Sequence, residues 1–241
     1  MNQVKKQVNW YEYAEKYDML FNYNPFYQAL QKEVLSLVQD WDMDNQSPIV
    51  DMGAGTGNYS IALARQFPGT QVLHIDNNEA MNARAIQKKK ALALNNLDIR
   101  LQGIQETTFP ADSVQGLVSV HALYTFPDPQ AALRKMADWL QPGGRGILVD
   151  PGRMVNVIDW QLAIASRLLL RYGPIKTLKI FREAEPVSRQ NRYIRNMQHQ
   201  GKLWTHSPEE FRAALVAAGF EILESRTCFR GLSDMAIVTK S

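Results

Sequence analysis

The sequence predicts an α/β protein built on a doubly wound, mostly parallel sheet of seven strands. Three observations favour this class. Apolar runs alternate with helical patterns between residues 48 and 150, a glycine-rich turn joins the first strand to the first helix, and two strand candidates follow the last helix. A chain of 241 residues can bury a full core. We therefore predict one domain with an insertion rather than two independent folds.

The glycine-rich turn is the most informative segment. An apolar run contains Asp51, and Gly53, Gly55 and Gly57 follow at alternate positions before a helical pattern begins. Glycine accepts positive φ and lets a ligand approach the backbone, and the next helix N-terminus offers free N–H donors. The spacing differs from the Gly-x-Gly-x-x-Gly of dinucleotide-binding turns. The carboxylate of Asp51 suits an ammonium group better than a pyrophosphate; an ordinary tight turn is the alternative.

The next strands and helices follow in alternation. Asn77 or Asn78 caps a helix whose far end, Lys88, Lys89 and Lys90, we expect to be solvated. Asp128 and Pro129 open another helix in the same way, as a cap followed by a first-turn proline. The strands are predicted at 71–75, which leads to Asp76, at 98–101, at 116–120, which leads to His121, and at 146–150.

The C-terminal part closes the pattern. Ser207 and Glu210 form a capping box, and Gly219 is the expected C-cap of the same helix. Two strand candidates at 220–228 and 235–238 follow, and the short link between them suits a hairpin.

Taken together, these motifs resemble the class I S-adenosylmethionine-dependent methyltransferases. The resemblance rests on the turn with Asp51, on Asp76, and on the element Leu140-Gln141-Pro142-Gly143-Gly144, and it covers roughly 48–150 and 207–240. It implies a Rossmann-like methyltransferase fold with an antiparallel last strand and S-adenosyl-L-methionine as cofactor. The implied reaction is in-line methyl transfer to an oxygen, nitrogen or carbon atom of a small-molecule acceptor.

The resemblance also implies which residues hold the cofactor. Asp76 would accept hydrogen bonds from the ribose hydroxyls, although it could instead be only a helix-capping acid. Asn77 would lie along the adenine. Ile104 stands where the family commonly carries an acid, so Gln105 or a backbone group would replace that contact. The cofactor-binding residues predicted in this way are Asp51, Gly53, Ala54, Gly55, Gly57, Asp76, Asn77, Ile104, Gln105 and His121.

A general base is needed only if the acceptor must lose a proton. His121 is the best candidate by position and by intrinsic pKa, although it could instead only line the cofactor. Tyr17 is a second catalytic candidate; Tyr11, Tyr124 and His206 are weaker ones. The segment after the fourth strand lacks the Asn-Pro-Pro-Tyr type of element, which counts against amide and base nitrogens as acceptors.

Two segments outside the resemblance are expected to decide the acceptor. Residues 1–45 are rich in aromatic side chains and predict a helical cap on the core at 46–150, while 151–206 is too long for a plain strand-to-helix connection and predicts a helical lid before 207–241. In the lid, a helix ending at Gly173-Pro174 and a second helix from Ser188 to His199 are expected. The first would pack through an apolar stripe, Val155, Ile158, Leu162, Ala165 and Leu169.

The lid is also strongly basic. It carries ten Lys and Arg against three acidic residues, whereas the whole chain has a net charge of only +3. This surplus favours an anionic acceptor, a solvated face, or a surface for nucleic acid or acidic lipid. An RNA- or protein-directed methyltransferase is therefore the second function class, ranked lower because no separate nucleic-acid module is present. A non-catalytic nucleotide-binding domain is the third, and the glycine spacing with Asp51 argues against it.

The remaining composition bounds the setting of the protein. No run of 18 apolar residues predicts a membrane-spanning helix, and the N-terminus lacks the apolar stretch of a secretory signal. Cys228 is the only cysteine, so neither an intramolecular disulfide nor a cysteine-built zinc site is possible. We predict a cytoplasmic protein without a metal site, and the oligomeric state stays open.

Overall fold

The computed structural model describes residues 10–241, with side chains from Tyr13 onward. The strands are β1 (Ile49–Met52), β2 (Val72–Asp76), β3 (Leu97–Leu101), β4 (Val114–Val120), β5 (Leu140–Asp150), β6 (Glu221–Cys228) and β7 (Ser233–Thr239). The helices are α1 (Trp10–Tyr23), α2 (Pro25–Leu37), α3 (Asn58–Gln66), α4 (Glu79–Ala91), α5 (Pro129–Trp139), α6 (Val157–Glu183), α7 (Glu185–His199) and α8 (Pro208–Ala218), with short 3₁₀ turns at Leu123–Thr125 and Phe229–Gly231.

The seven strands form one sheet in the order β3-β2-β1-β4-β5-β7-β6. Strand β7 runs antiparallel to β5 and β6, and the other pairs are parallel, which confirms the predicted α/β class and the antiparallel last strand. The strand order reverses between β1 and β4. In open sheets a ligand crevice forms at such a point, outside the carboxyl ends of the strands. The topology therefore brings the turn after β1 next to His121, which follows β4.

Apolar side chains fill both faces of the sheet. Helices α5 and α8 cover one face through residues such as Leu133 and Phe211, and α2 and α3 cover the other through residues such as Val34 and Leu63. All four side chains are fully buried. Since both faces are dry, polar chemistry concentrates at the strand ends.

Local capping explains where the helices begin. The side chains of Asn78 and Asp128 each accept a hydrogen bond from a first-turn backbone N–H, and α8 begins with the predicted capping box of Ser207 and Glu210. Gly219, at φ +103°, ends α8 as predicted.

The expectation that Lys88 is solvated is wrong. Its ammonium group donates to Asp18 Oδ1 at 2.7 Å, to the Thr56 carbonyl at 3.0 Å and to Asn58 Oδ1 at 3.0 Å. Desolvation lowers the pKa of Lys88, and the contact with Asp18 offsets part of that shift. This lysine therefore ties α1 to the glycine-rich turn, a long-range contact that the charge run on α4 did not reveal.

The lid helices differ from the prediction in two respects. The first helix breaks at Gly173 but resumes directly, because Pro174 is tolerated at the first turn of the next helical stretch. Its predicted packing stripe is wrong, since Ile158, Leu162 and Leu169 are exposed while Leu168 is buried. Apolar residues occupy two faces of α6, and periodicity alone does not tell which face packs. Within the described part of the chain, no helix combines the length and apolar character needed to cross a bilayer.

Candidate active site

The glycine-rich turn is held tightly against β2 and the segment after β4. The backbone N–H groups of Gly53 and Ala54 donate to the Ile75 carbonyl at 2.8 and 3.1 Å. Gly53 has φ +74°, and a Cβ there would lie 2.3 Å from the Ala122 Cβ. A side chain at this position would therefore force the backbone apart.

Asp76, at the end of β2, connects the turn to the next helix. Its Oδ2 accepts from the Gly55 N–H and its Oδ1 from the Asn78 N–H, both at 2.8 Å. Burial raises the pKa of Asp76, and these two hydrogen bonds offset part of the shift. Asn78, not Asp76, supplies the side-chain cap of α4. Each carboxylate oxygen retains a lone pair for a ligand.

A cavity of about 690 Å³ opens at these strand ends, and we call it the strand-end cavity. Of the predicted residues, it is lined by Tyr17, Gly53, Gly55, Asp76, Asn77, Ile104, Gln105 and His121. Asp51 and Ala54 lie instead on an adjoining pocket of about 30 Å³ that shares Gly53, Gly55, Tyr17 and His121 with it. Gly57 lines neither. It starts α3 with φ +82°, and a Cβ there would lie 3.1 Å from the Ala85 Cβ, so its role is in the backbone and packing.

The side chain of Asp51 is buried, and its Oδ2 atom has no hydrogen-bond partner among the described residues. Burial raises the pKa of Asp51 to about 7, although the hydrogen bond from the Ser60 backbone N–H favours the ionised form. A buried carboxylate oxygen without a partner is costly, and a ligand ammonium group would relieve that cost. The residue therefore fits the amino group of S-adenosylmethionine.

A buried polar chain supports both carboxylates. Ser60 Oγ lies 2.8 Å from His74 Nδ1, and His74 Nε2 lies 2.8 Å from Asn82 Oδ1. Asn82 then donates to the Asp76 carbonyl at 2.8 Å. Burial lowers the pKa of His74 to about 4, so the ring is neutral. The sequence pattern at 71–75 predicted only a buried strand and did not reveal this series of hydrogen-bonded side chains.

In the loop after β3, Ile104 occupies the position where the resemblance implies an acid. Ile104 is buried against the core, and Lys135 Nζ donates to the carbonyls of Ile104 and Gln105 at 2.9 and 3.0 Å. The loop is therefore fixed through its backbone, and Gln102 and Gln105 are the polar side chains that it contributes to the strand-end cavity.

A second cavity of about 180 Å³ lies beside the first, and we call it the apolar cavity. Tyr27 of α2, Trp160 of α6 and Phe229 after β6 line it, together with aliphatic residues of α6 and α7. Phe229 lies 4.7 Å from both the Tyr27 and Trp160 ring centroids. The two cavities share His121, Tyr124 and Ile194, so they meet just past the end of β4.

His121 is held firmly at this junction. It has φ +55°, its N–H donates to the Val149 carbonyl at 2.7 Å, and Nε2 lies 2.9 Å from Ser233 Oγ. Its ring contacts Tyr27 and Phe229 at centroid distances of 5.6 and 4.8 Å. Burial lowers the pKa of His121 to about 4. The imidazole is therefore neutral at physiological pH, and its basicity is well below that of a typical catalytic histidine.

The other base candidates fare differently. Tyr17 and Tyr124 line the strand-end cavity, and burial raises the pKa of both phenols above the ordinary value. His206 lines neither cavity and lies between Asp150 and Asp234, with ring nitrogens 3.4 Å from each carboxylate, so it has no access to an acceptor there. The side chain of Tyr11 lies outside the described residues.

Arg153 is the charged side chain that the lid contributes to the apolar cavity. Its guanidinium pairs with Asp234 through Nη1 and donates to the Gly231 carbonyl from Nε at 2.9 Å. The Nη2 atom is buried without a hydrogen-bond partner among the described residues. The other nine basic residues of 151–206 are exposed. Sequence reasoning counted these charges but did not single out Arg153, Trp160 or Phe229, because only the tertiary fold brings them together.

A protein-family model described as "Methyltransferase domain" matches residues 22–225. The chain belongs to this methyltransferase family. The predicted family resemblance, its fold class and S-adenosylmethionine as the cofactor are thereby confirmed.

Individual relatives are more distant. The chain is 25% identical to a rice 2-methyl-6-phytyl-1,4-hydroquinone methyltransferase over 62% of its own length and 44% of that protein. It is 27% identical to a demethylmenaquinone methyltransferase of Bacillus cytotoxicus over 57% of its length and 58% of that protein. The chain thus matches about half the length of these relatives. The fold also resembles that of a Synechocystis magnesium protoporphyrin IX methyltransferase with bound SAH, with a TM-score of 0.62 at 17% identity over 94% of this methyltransferase and 93% of that chain.

Proposed function

We propose that this methyltransferase transfers the methyl group of S-adenosylmethionine to a small, largely apolar acceptor with a planar ring. The observation that carries the proposal is the meeting of a polar cavity and an apolar cavity at His121 and Tyr124. The first suits the cofactor, and the second is walled by aromatic rings that favour a flat apolar partner. The rice relative is named for a phytyl hydroquinone, a ring with an apolar chain, and an acceptor of that class fits these walls.

The cofactor would be held by the residues at the strand ends. Asp51 would accept from its amino group and Asp76 from its ribose hydroxyls, while Gly53 and Gly55 permit close approach of the backbone. When bound, S-adenosylmethionine supplies an electrophilic methyl group on a sulfonium, and its leaving group departs neutral. Catalysis then depends largely on holding the acceptor atom about 3 Å from the methyl carbon and on excluding water.

The lid and the N-terminal helices would exclude that water. Helix α7 contributes Tyr193, Ile194 and Met197 to the strand-end cavity, and α1 contributes Tyr13 and Tyr17. We therefore propose that 151–206 and the N-terminal segment together cover the site of methyl transfer.

Deprotonation of the acceptor is not assigned to His121 or Tyr17. The lowered pKa of His121 and the raised pKa of Tyr17 leave both groups neutral and weakly reactive toward protons at pH 7. These side chains would position the acceptor instead. An acceptor that enters already ionised would find the Arg153 guanidinium as its cationic partner. Only the Nη2 atom of Arg153 is without a partner among the described residues, because Nη1 pairs with Asp234, so we propose an acceptor with at most one negative group at this cavity.

The test is a methyl-transfer assay with radiolabelled S-adenosylmethionine. Prenylated and short-chain hydroquinones, aliphatic carboxylates, tRNA and an acidic peptide should be compared as acceptors. We expect turnover of the ring-bearing acceptors. Because His121 is not assigned as the base, the pH–rate profile should show no limb near neutrality that comes from this residue. Turnover of RNA or peptide alone would favour the second function class, docking through the exposed cations of the lid. Turnover of aliphatic acids alone would contradict the proposal that the acceptor carries a planar ring.

A further inference from the structure

Helix α6 exposes large apolar side chains on both sides of its break at Gly173. Leu170 and Ile175 are 87% and 86% exposed, and Ile158 and Leu162 are 71% and 68% exposed. In the stretch before the break, Trp160, Ile164 and Leu168 lie on the opposite face from Ile158 and Leu162 and line the cavity. Single exposed apolar residues are common on protein surfaces, but a row along one helix marks an interaction surface.

Exposed cations without a carboxylate partner flank these apolar residues, and two of them, Arg171 and Lys176, lie 5.2 and 4.4 Å from the centroid of the Tyr172 ring. Arg167, Arg171, Lys176 and Arg182 are exposed, and no carboxylate among the described side chains lies within salt-bridge distance of them. The two acids of α6 are engaged elsewhere, Asp159 with Arg230 at 3.1 Å and Glu183 with Lys179 at 3.9 Å. The exposed surface of α6 over residues 158–182 therefore carries both apolar and cationic side chains, and we call this surface the outer face of α6.

We propose that the outer face of α6 docks on an anionic lipid bilayer surface. Interfacial helices bury apolar side chains at the headgroup boundary and place lysine and arginine against anionic lipids. A protein partner is the less favoured occupant, because protein interfaces are depleted of lysine, and Lys176 and Lys179 flank the exposed Ile175 and Leu178.

The charge distribution gives this docking a direction. The lid has a surplus of seven basic residues within a chain of net charge +3, so the rest of the chain is net negative. An anionic surface would attract the lid and repel the remainder, which orients the molecule. Since α6 also forms a wall of the apolar cavity, docking would bring that cavity within about 10 Å of the bilayer, one helix diameter.

The experiment is flotation of the full chain with large unilamellar vesicles, either pure phosphatidylcholine or an equimolar mixture with phosphatidylglycerol. We expect binding to the anionic vesicles that weakens in 0.5 M NaCl. Leu170→Glu/Ile175→Glu should weaken it at least tenfold. Arg167→Gln/Lys176→Gln should weaken it by about fivefold for each lost cation.

A matched control is Val216→Glu/Leu223→Glu, which makes the same kind of change at exposed residues of α8 and β6. It should bind like the wild type, and circular dichroism and thermal midpoints should confirm that all variants fold. The proposal is overturned if the wild type binds neither vesicle, or if the control loses binding as strongly as the α6 variants. It is also overturned if the wild type is a dimer that Leu170→Glu/Ile175→Glu converts to a monomer without any vesicle binding.

Discussion

The strand-end cavity and the apolar cavity lie side by side, but the chain builds them differently. The first is built around residues at or just after the ends of β1, β2, β3 and β4, which the sheet topology brings together, and side chains of α1 and α7 complete its walls. The second is assembled from α1, α2, α6, α7 and the turn after β6, elements distant in sequence. The polar groups of the cofactor half are therefore positioned by strand-end geometry. The acceptor half depends on how helices outside the sheet pack over it.

Gly53→Ala tests whether the turn after β1 tolerates a side chain, and we expect it to be the most destabilising of these changes. Gly53→Ala combines a positive φ with a Cβ 2.3 Å from the Ala122 Cβ. We expect the free energy of unfolding to fall by about 2–5 kcal/mol, the sum of the left-handed backbone cost and overpacking. Chemical denaturation measures this.

The matched control for that change is Gly143→Ala. Gly143 has nearly the same φ, +76°, but no atom lies within 4 Å of the position of a Cβ. Only the backbone cost of about 1–2 kcal/mol should then remain. Equal losses at both glycines would show that close approach at Gly53 is unimportant.

Substitution of Asp76 tests whether the strand-end cavity binds the cofactor. Asp76→Ala should weaken S-adenosylmethionine binding by about 1.5–3 kcal/mol, the range for a hydrogen bond to a charged group. Calorimetry measures it. Asp98→Ala removes an acid on β3 that does not line the strand-end cavity, so binding should be unchanged. Equal affinity in wild type and Asp76→Ala would remove Asp76 from the cofactor site.

Trp160 tests the apolar half. Trp160→Ala should lower kcat/KM for a ring-bearing acceptor by an amount equivalent to about 1.5–3 kcal/mol of lost apolar burial. The affinity for S-adenosylmethionine should stay constant, because Trp160 lines only the apolar cavity. Tyr172→Ala is the control, as Tyr172 also lies on α6 but lines neither cavity. A loss of cofactor affinity in Trp160→Ala would contradict the separate assignment of the two cavities to cofactor and acceptor.

Asp51 gives a smaller effect that depends on pH. Its folded-state pKa of about 7 lies above the unfolded value, so the folded protein holds an extra proton between about pH 4 and 7. Stability from this group therefore declines as pH rises through that window. Since a ligand ammonium needs the carboxylate, cofactor affinity should rise from pH 5.5 to 7 by up to about tenfold per unit. Calorimetry on Asp51→Asn should show a flat, weaker profile; an unchanged slope would contradict the pairing.

The same division explains what the sequence could predict. The Gly53/Gly55/Gly57 spacing, Asp76 after β2 and the capping box at Ser207 are local patterns, and each led to the correct element. Lys88, Trp160 and Arg153 act through partners 30 to more than 80 residues away, which no local pattern reveals. The predicted packing stripe on α6 was wrong for a related reason. Exposed apolar residues on an interaction surface have the same periodicity as apolar residues that pack in a core.

The most direct measurement is a crystal structure of the chain with S-adenosylhomocysteine bound. We expect the amino group of the ligand at Asp51, its ribose at Asp76, and its sulfur at the junction of the two cavities beside His121 and Tyr124. The sulfur should then lie about 5 Å from the nearest acceptor position in the apolar cavity, which allows for the methyl group and an attack distance of about 3 Å. A sulfur that faces away from that junction, or lid residues 151–206 packed away from it, would contradict methyl transfer at the junction of the two cavities.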